Sequence, residues 1–210
     1  MLANSRLLVF TRYPEAGRCK TRLLPALGAE GAARLQKRLT AHLIAQEHQV
    51  EQFMKIPTSV YYTGGSEEKM TSWLGSMTYI EQVEGDIGEK MMAAFSHAFS
   101  DGSHAAILVG SDIPDITSKI LIQGFEALHH DRVVIGPALD GGYYLIGMCA
   151  AQAATLVPLL FSNIRWSRKD LFTSTMGRLA RAGFDVITLP RLQDIDQPED
   201  LPLARMRGLL

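Results

Sequence analysis

Short apolar runs, each cut off by glycine, proline or charge, alternate along the chain with longer amphipathic stretches. Residues 7–10, 58–62, 79–83, 105–109, 133–135, 143–148 and 184–189 have the length and the β-branched or aromatic content of buried strands. Between them, Leu35, Leu39, His42/Leu43, Gln46 and Val50 recur at helical spacing, which predicts an amphipathic helix over about 28–49. A short helix is expected over 66–73. Asp86 and Glu89 form a capping box ahead of Met91, Met92, Phe95 and Phe99, so a helix follows there with a packed apolar face. Further helices are expected over about 117–130, over 152–160 up to the constraint of Pro158, and from an N-cap at Ser167 to about Ala182. Strand and helix alternate throughout, which predicts an α/β protein: a mostly parallel sheet with helices on both faces. The brief connection inside GPALDGGYYLIGM adds at least one antiparallel pairing.

Composition narrows the class without changing this picture. The 210 residues are 47% hydrophobic and 20% charged, with a net charge of −1, and no repeat or linker divides them, so one domain over 1–210 is expected. No charged block suits a nucleic-acid backbone, and no apolar run reaches the ~20 residues that span a bilayer. No signal-peptide apolar segment precedes the first charged loop. Cys19 and Cys149 lack metal-type spacing and read as reduced thiols, so a cytoplasmic location is expected.

The chemistry gathers where strands end. In AAILVGSDIPD, Gly110 breaks the strand, Asp112 follows and Pro114 bars extension, which puts a carboxylate where open α/β sheets place their sites. Asp112 can hold a divalent cation that in turn holds phosphate, or it can brace the turn and cap the next helix. After the first strand, Arg12, Arg18, Lys20 and Arg22 put four cations into residues 12–22, beside Gly17. That suits an anion, with Lys20 and Arg22 neutralising phosphate oxygens, although it lacks Walker spacing and also reads as an ordinary charged loop. Asp140-Gly141-Gly142 is either a hairpin turn or a bend whose bare backbone leaves room for a ligand. In DIDQPEDL, Asp196 and Glu199 serve as a helix N-cap and acidic first turn, whereas Asp194 has no capping role. Trp73 and Trp166 read as packing residues, with Trp166 and Arg165 also placed to line a pocket. His42 and His48 read as helix-surface or partly buried residues.

The segments VFTRYPEAGRCKTRLLPALG, GDIGEKM, LVGSDIPDI, GPALDGGYYLIGM and DIDQPEDL occur in that order. Together they resemble the DUF2064 family of glycosyltransferase-like proteins, relatives of 2-phospho-L-lactate guanylyltransferase and molybdenum-cofactor guanylyltransferase. The resemblance runs from Leu7 to about Leu203. It implies the glycosyltransferase-A fold, a three-layer α/β/α sandwich that binds a nucleotide with Mg²⁺ or Mn²⁺. It implies nucleotide or phosphate contacts from Arg12, Gly17, Lys20, Thr21, Arg22 and Ser111. Asp112, with Asp194 or Asp196, would hold the metal, while Asp140, Gly141, Gly142 and Tyr143 would face the acceptor or sugar. Arg12 stands where the family usually has lysine in K-x-P-x-x-G, which exchanges a point charge for a planar fork.

These readings lead to a metal-dependent transferase that moves a sugar from a nucleotide diphosphate-sugar to a small acceptor. Lys20 and Arg22 would offset leaving-group charge, and Asp140 would orient or deprotonate the acceptor hydroxyl. A nucleotidyltransferase that joins a nucleoside triphosphate to a phosphorylated acceptor, with pyrophosphate release, is the alternative. A nucleotide-binding module without chemistry is a third possibility.

Overall fold

A computed structural model describes residues 4–128, 132–166 and 168–210. The strands are β1 (Ser5–Arg12), β2 (Thr58–Thr63), β3 (Thr78–Glu81), β4 (Ala105–Gly110), β5 (Val133–Pro137), β6 (Tyr143–Cys149) and β7 (Val186–Thr188). They form one sheet in the order β3-β2-β1-β4-β6-β5-β7. β6 runs antiparallel to both β4 and β5, and all other pairings are parallel. The antiparallel strand is the one anticipated after Asp140-Gly141-Gly142. Its register against β5 slips between Gly136 and Pro137, because proline has no N–H for the ladder.

The helices are α1 (Leu24–Met54), α2 (Glu67–Leu74), α3 (Ile87–Ser100), α4 (Ser118–Leu128), α5 (Ala153–Phe161), α6 (Leu171–Arg181) and α7 (Leu201–Met206). Strand alternation divides them between two faces. Leu7, Val9, Ile107 and Val134 face one side with Leu43 of α1, Met70 of α2 and Phe125 of α4. Leu8, Phe10, Leu108, Ile135 and Ile146 face the other with Phe95 of α3, Leu160 of α5 and Leu179 of α6. The result is the expected α/β/α sandwich.

A third cluster joins Leu23, Leu35 and Leu39 to Ile195, Leu201 and Ala204. It pins the end of the first loop and α1 against the C-terminal segment, so two charged stretches far apart in sequence meet. α1 is longer than its apolar pattern, and Gly28, at φ 66° and ψ 174°, breaks its first turn from the regular helix that follows. The Asp86/Glu89 capping box forms as expected. The α6 helix begins at Leu171, with Asp170 at its N-cap position and no side-chain capping bond. Ser167, the expected cap, lies outside the described residues, as do positions 129 and 130 expected at the end of α4. No described helix is long and apolar enough to cross a membrane.

Candidate active site

The carboxyl ends of β1, β2, β4 and β5 point to the same edge of the sheet, and the loops singled out in the sequence leave from that edge. Lys20 ends the first loop in a left-handed conformation, φ 47°, with its side chain only 3% exposed. Its Nζ donates to Ile195 O at 2.7 Å and pairs with Asp112 Oδ1 at 2.6 Å. Ile195 N donates to Asp112 O at 3.0 Å. Lys20 is thus a clamp joining the first loop, the β4 end and the C-terminal segment. The Asp112 side chain remains half exposed.

The other loop cations have different fates. Arg18 is exposed and pairs with Glu15 at 3.5 Å, and Arg22 is held by Asp196. Arg12 has no carboxylate partner among the described residues and lines a polar cavity with Thr11, Lys20, Ser111 and Asp112. Gly17 and Thr21 are exposed, and neither belongs to the wall of that cavity. Cys19 is buried beside Lys20, and burial raises its thiol pKa, consistent with an unreactive reduced side chain.

Ser111 sits 97% buried in a network that holds the polar cavity floor. Its Oγ donates to Thr11 Oγ1 at 3.1 Å, and Gln36 Nε2 of α1 reaches Ser111, Thr11 and Thr40 at 3.2–3.3 Å. Polar groups enclosed this way are stable only when they satisfy one another, so the β1 and β4 ends are locked together. Nothing in the local sequence singles out Gln36, which resembles any polar helix residue.

Asp140 and Asp194 approach because their segments are stitched together: Leu139 N donates to Leu192 O at 2.9 Å and Leu192 N to Pro137 O at 3.1 Å. Asp140 Oδ1 accepts from Gly142 N at 2.8 Å. The Asp194 carboxyl pKa is pushed up to about 6, first by burial and next by the Asp140 charge. Asp196 lies beyond the fully buried Ile195 and is taken up by Arg22. It is not the helix cap that its sequence context suggested. Gln197 caps the short helical turn there, and Asp200, three residues on, completes a capping box: its Oδ2 accepts from Gln197 N at 2.7 Å and from Asp196 N at 3.0 Å.

The space expected over the two glycines is half filled. Gly141 has φ 96°, and a Cβ there would overlap the Lys169 carbonyl, so backbone packing requires its bareness. Phe172 N donates to Gly141 O at 2.8 Å, which completes that contact. Gly142, Tyr143 and Asp140 do line a cavity of about 290 Å³, with Asp112 and Asp194. Its remaining wall is largely apolar: Phe10, Met91, Leu108, Trp166 and Leu171. Trp166 lies against Gly88 of α3, where a Cβ would meet its ring at 2.6 Å, so close packing sets the position of this wall. This apolar cavity and the polar one share Phe10, Ile87, Gly110 and Asp112. Asp112 therefore stands at the boundary between two differently lined compartments. No group of three or more His, Cys, Asp or Glu side chains is gathered as a metal cage among the described residues.

The family model for DUF2064, described as "uncharacterized protein conserved in bacteria", matches residues 43–168. The structure of a candidate nucleotide-diphospho-sugar transferase from Desulfovibrio desulfuricans G20 is 35% identical, with a TM-score of 0.80 over 92% of this chain and 83% of that one. The chain belongs to the DUF2064 family. Its fold is of the nucleotide-diphospho-sugar transferase type implied by the five ordered segments. At 12% identity, CMP:2-keto-3-deoxy-manno-octonic acid synthetase complexed with CTP shares the fold, with a TM-score of 0.59 over 98% of each chain. Rv0371c from Mycobacterium tuberculosis H37Rv, in complex with manganese, does so at 14% identity, with a TM-score of 0.56 over 95% of this chain and 97% of that one. No curated protein matches the chain.

Proposed function

We propose that this transferase, working as one domain over residues 1–210, moves a sugar from a nucleotide diphosphate-sugar to a small acceptor. The observation that carries the reading is the meeting of a polar and a largely apolar cavity at Asp112. The polar side takes the nucleotide diphosphate, with Arg12 and Lys20 as its cations and the Thr11–Gln36–Ser111 network as its floor. The 35%-identical relative supports a nucleotide-diphospho-sugar donor.

Loop electrostatics favour a diphosphate over a triphosphate. The cationic Lys20-Thr21-Arg22 stretch by itself slightly favours a triphosphate, but Arg18, Lys20 and Arg22 each already face a carboxylate. Arg12 is left as the loop's unpaired charge among the described residues. A triphosphate carries more charge than a diphosphate for the same loop and cation to neutralise.

The donor set fits a hard divalent cation, Mg²⁺ or Mn²⁺, shared with substrate phosphates. Such ions typically take one or two protein carboxylates and fill the remaining positions with water and phosphate oxygens. Asp112 and Asp194 line the same cavity, and the upward shift at Asp194 marks a carboxylate whose charge is uncompensated. Asp196 lines the polar cavity with Asp112, and Arg22 engages its carboxylate. When bound, the cation would supply charge stabilisation for the diphosphate leaving group.

The protein side chains then act by position. Lys20, fixed by Ile195 O, presents its ammonium to the departing diphosphate, where negative charge builds. Asp140, held by Gly142 N, orients the acceptor hydroxyl and takes its proton. No protein nucleophile is required. Product analysis tests the reading: with donor, acceptor and Mg²⁺, the sugar-transfer account predicts release of nucleoside diphosphate. Release of pyrophosphate from a nucleoside triphosphate would replace it with nucleotidyl transfer.

A further inference from the structure

Beside the apolar cavity lies a second space of about 210 Å³ with a different lining. Arg165, Arg168 and Arg178 contribute to its wall, with Asp170 and Ser174. Arg168 and Leu171 belong to both spaces, so the two are neighbours across those side chains. Three guanidinium groups face one carboxylate there. Asp170 is already engaged by Arg168, through Nε at 2.8 Å and Nη2 at 2.6 Å. Arg178 donates one Nη1 bond to Leu159 O at 3.3 Å and is half-buried. The surplus is two positive charges, presented as planar forks that suit carboxylate or phosphate oxygens.

We propose that the acceptor is a small anionic amphiphile. Its apolar body fills the cavity of Phe10, Met91, Leu108 and Trp166, and its anionic head lies on Arg165, Arg168 and Arg178. Its hydroxyl faces Asp140. The inference rests on the transferase reading and specifies the acceptor class. Two observations carry it. The apolar wall offers a sugar-like acceptor few hydrogen-bond partners, so a hydrated polyol would lose water without replacement. The arginine space adjoins that wall instead of the nucleotide side, and thus selects the far end of the acceptor.

Calorimetric titration of the full chain with four probes tests this: 2-phenylethyl phosphate, 3-phenylpropionate, 2-phenylethanol and inorganic phosphate. The expected result is that one of the two anionic amphiphiles binds at least tenfold tighter than both phenylethanol and inorganic phosphate. Which of the two prevails tells phosphate from carboxylate. An Arg165→Gln/Arg178→Gln double variant should lose tenfold or more toward that probe and keep its affinity for phenylethanol. Leu171→Gln, at the junction of the two spaces, should weaken the amphiphile more than inorganic phosphate. If neither amphiphile exceeds its two fragments, or the double variant binds it as the parent does, the proposal is overturned. Titration of a nucleotide diphosphate-sugar into the same preparations separates the two levels. Intact nucleotide binding with no amphiphile binding overturns only the acceptor class, whereas loss of both overturns the transferase reading as well.

Discussion

Replacing Lys20 by methionine removes the clamp while keeping a side chain of similar length. Two interactions go: the ion pair with Asp112 at 2.6 Å and the charged hydrogen bond to Ile195 O at 2.7 Å. Hydrogen bonds from charged donors contribute ~1.5–3 kcal/mol. The ion pair lies between limits, because Lys20 is 3% exposed but Asp112 is 50% exposed. Water can therefore take over Asp112 when Lys20 is gone, which keeps the pair nearer the ~0–1 kcal/mol of surface bridges than the 3–5 of buried ones. Taken together, Lys20→Met should cost about 2 kcal/mol, or roughly 4–8 °C in melting temperature for a chain of this size. A double-mutant cycle with Asp112→Asn isolates the pair, with a coupling of about 1 kcal/mol expected. Nucleotide affinity should fall at least tenfold in the same variant, because the phosphate cation is lost too. Chemical denaturation and calorimetric titration read both effects. A melt within about 1 °C of the parent, with unchanged nucleotide affinity, would refute both the clamp and the phosphate role.

Two other perturbations probe the neighbouring segments. The Asp194 carboxyl, raised from 3.8 to about 6, holds a proton in the folded chain that the unfolded chain has released. Metal-free stability should therefore decline as pH rises from about 4 to 6 and stay lower above that window. A two-unit shift corresponds to ~3 kcal/mol at most, and partial exposure reduces this to about 1–2. Asp194→Asn in EDTA should recover about that much at pH 7.5 and flatten the slope in urea unfolding measured across pH 4–7.5; an unchanged slope would mean that Asp194 is not buried against Asp140. Gly141→Ala forces a left-handed alanine against the Lys169 carbonyl and should cost about 3 kcal/mol or more. A normal melting curve for that variant would show the glycine to be dispensable.

The sheet was legible because apolar runs and their alternation follow from which faces must be buried, and that is local information. Leu7 and Val9 against Leu8 and Phe10 already separate the two helical layers. The site was legible only in part. Asp112 and Lys20 stood out by residue type at strand ends, yet their pairing joins loops on either side of β1 and β4 that no sequence window spans. For the same reason the cations looked more available to phosphate than they are: Arg22 and Asp196 are 174 positions apart. Asp194 drew attention through its lack of a capping role, a signal that the structure connects to Asp140. At Gly141 the sequence left two readings open, because a positive φ and an absent side chain have two uses, ligand access and backbone packing. The packing use becomes visible only with the position of Lys169. Gln36 and Arg168 carried no local signature, since polar helix and loop residues are common and their partners come from elsewhere in the chain.

The account turns on Asp112 as the residue where nucleotide, cation and acceptor meet. Its most direct test is equilibrium binding of nucleotide diphosphate-sugars to the native chain and to Asp112→Asn, each with Mg²⁺, Mn²⁺ or EDTA. The expected result is a nucleotide bound by the native chain only with metal, and at least tenfold more weakly by the variant. Binding that is equally tight in EDTA and in Asp112→Asn, or no binding by the native chain with either metal, would contradict it.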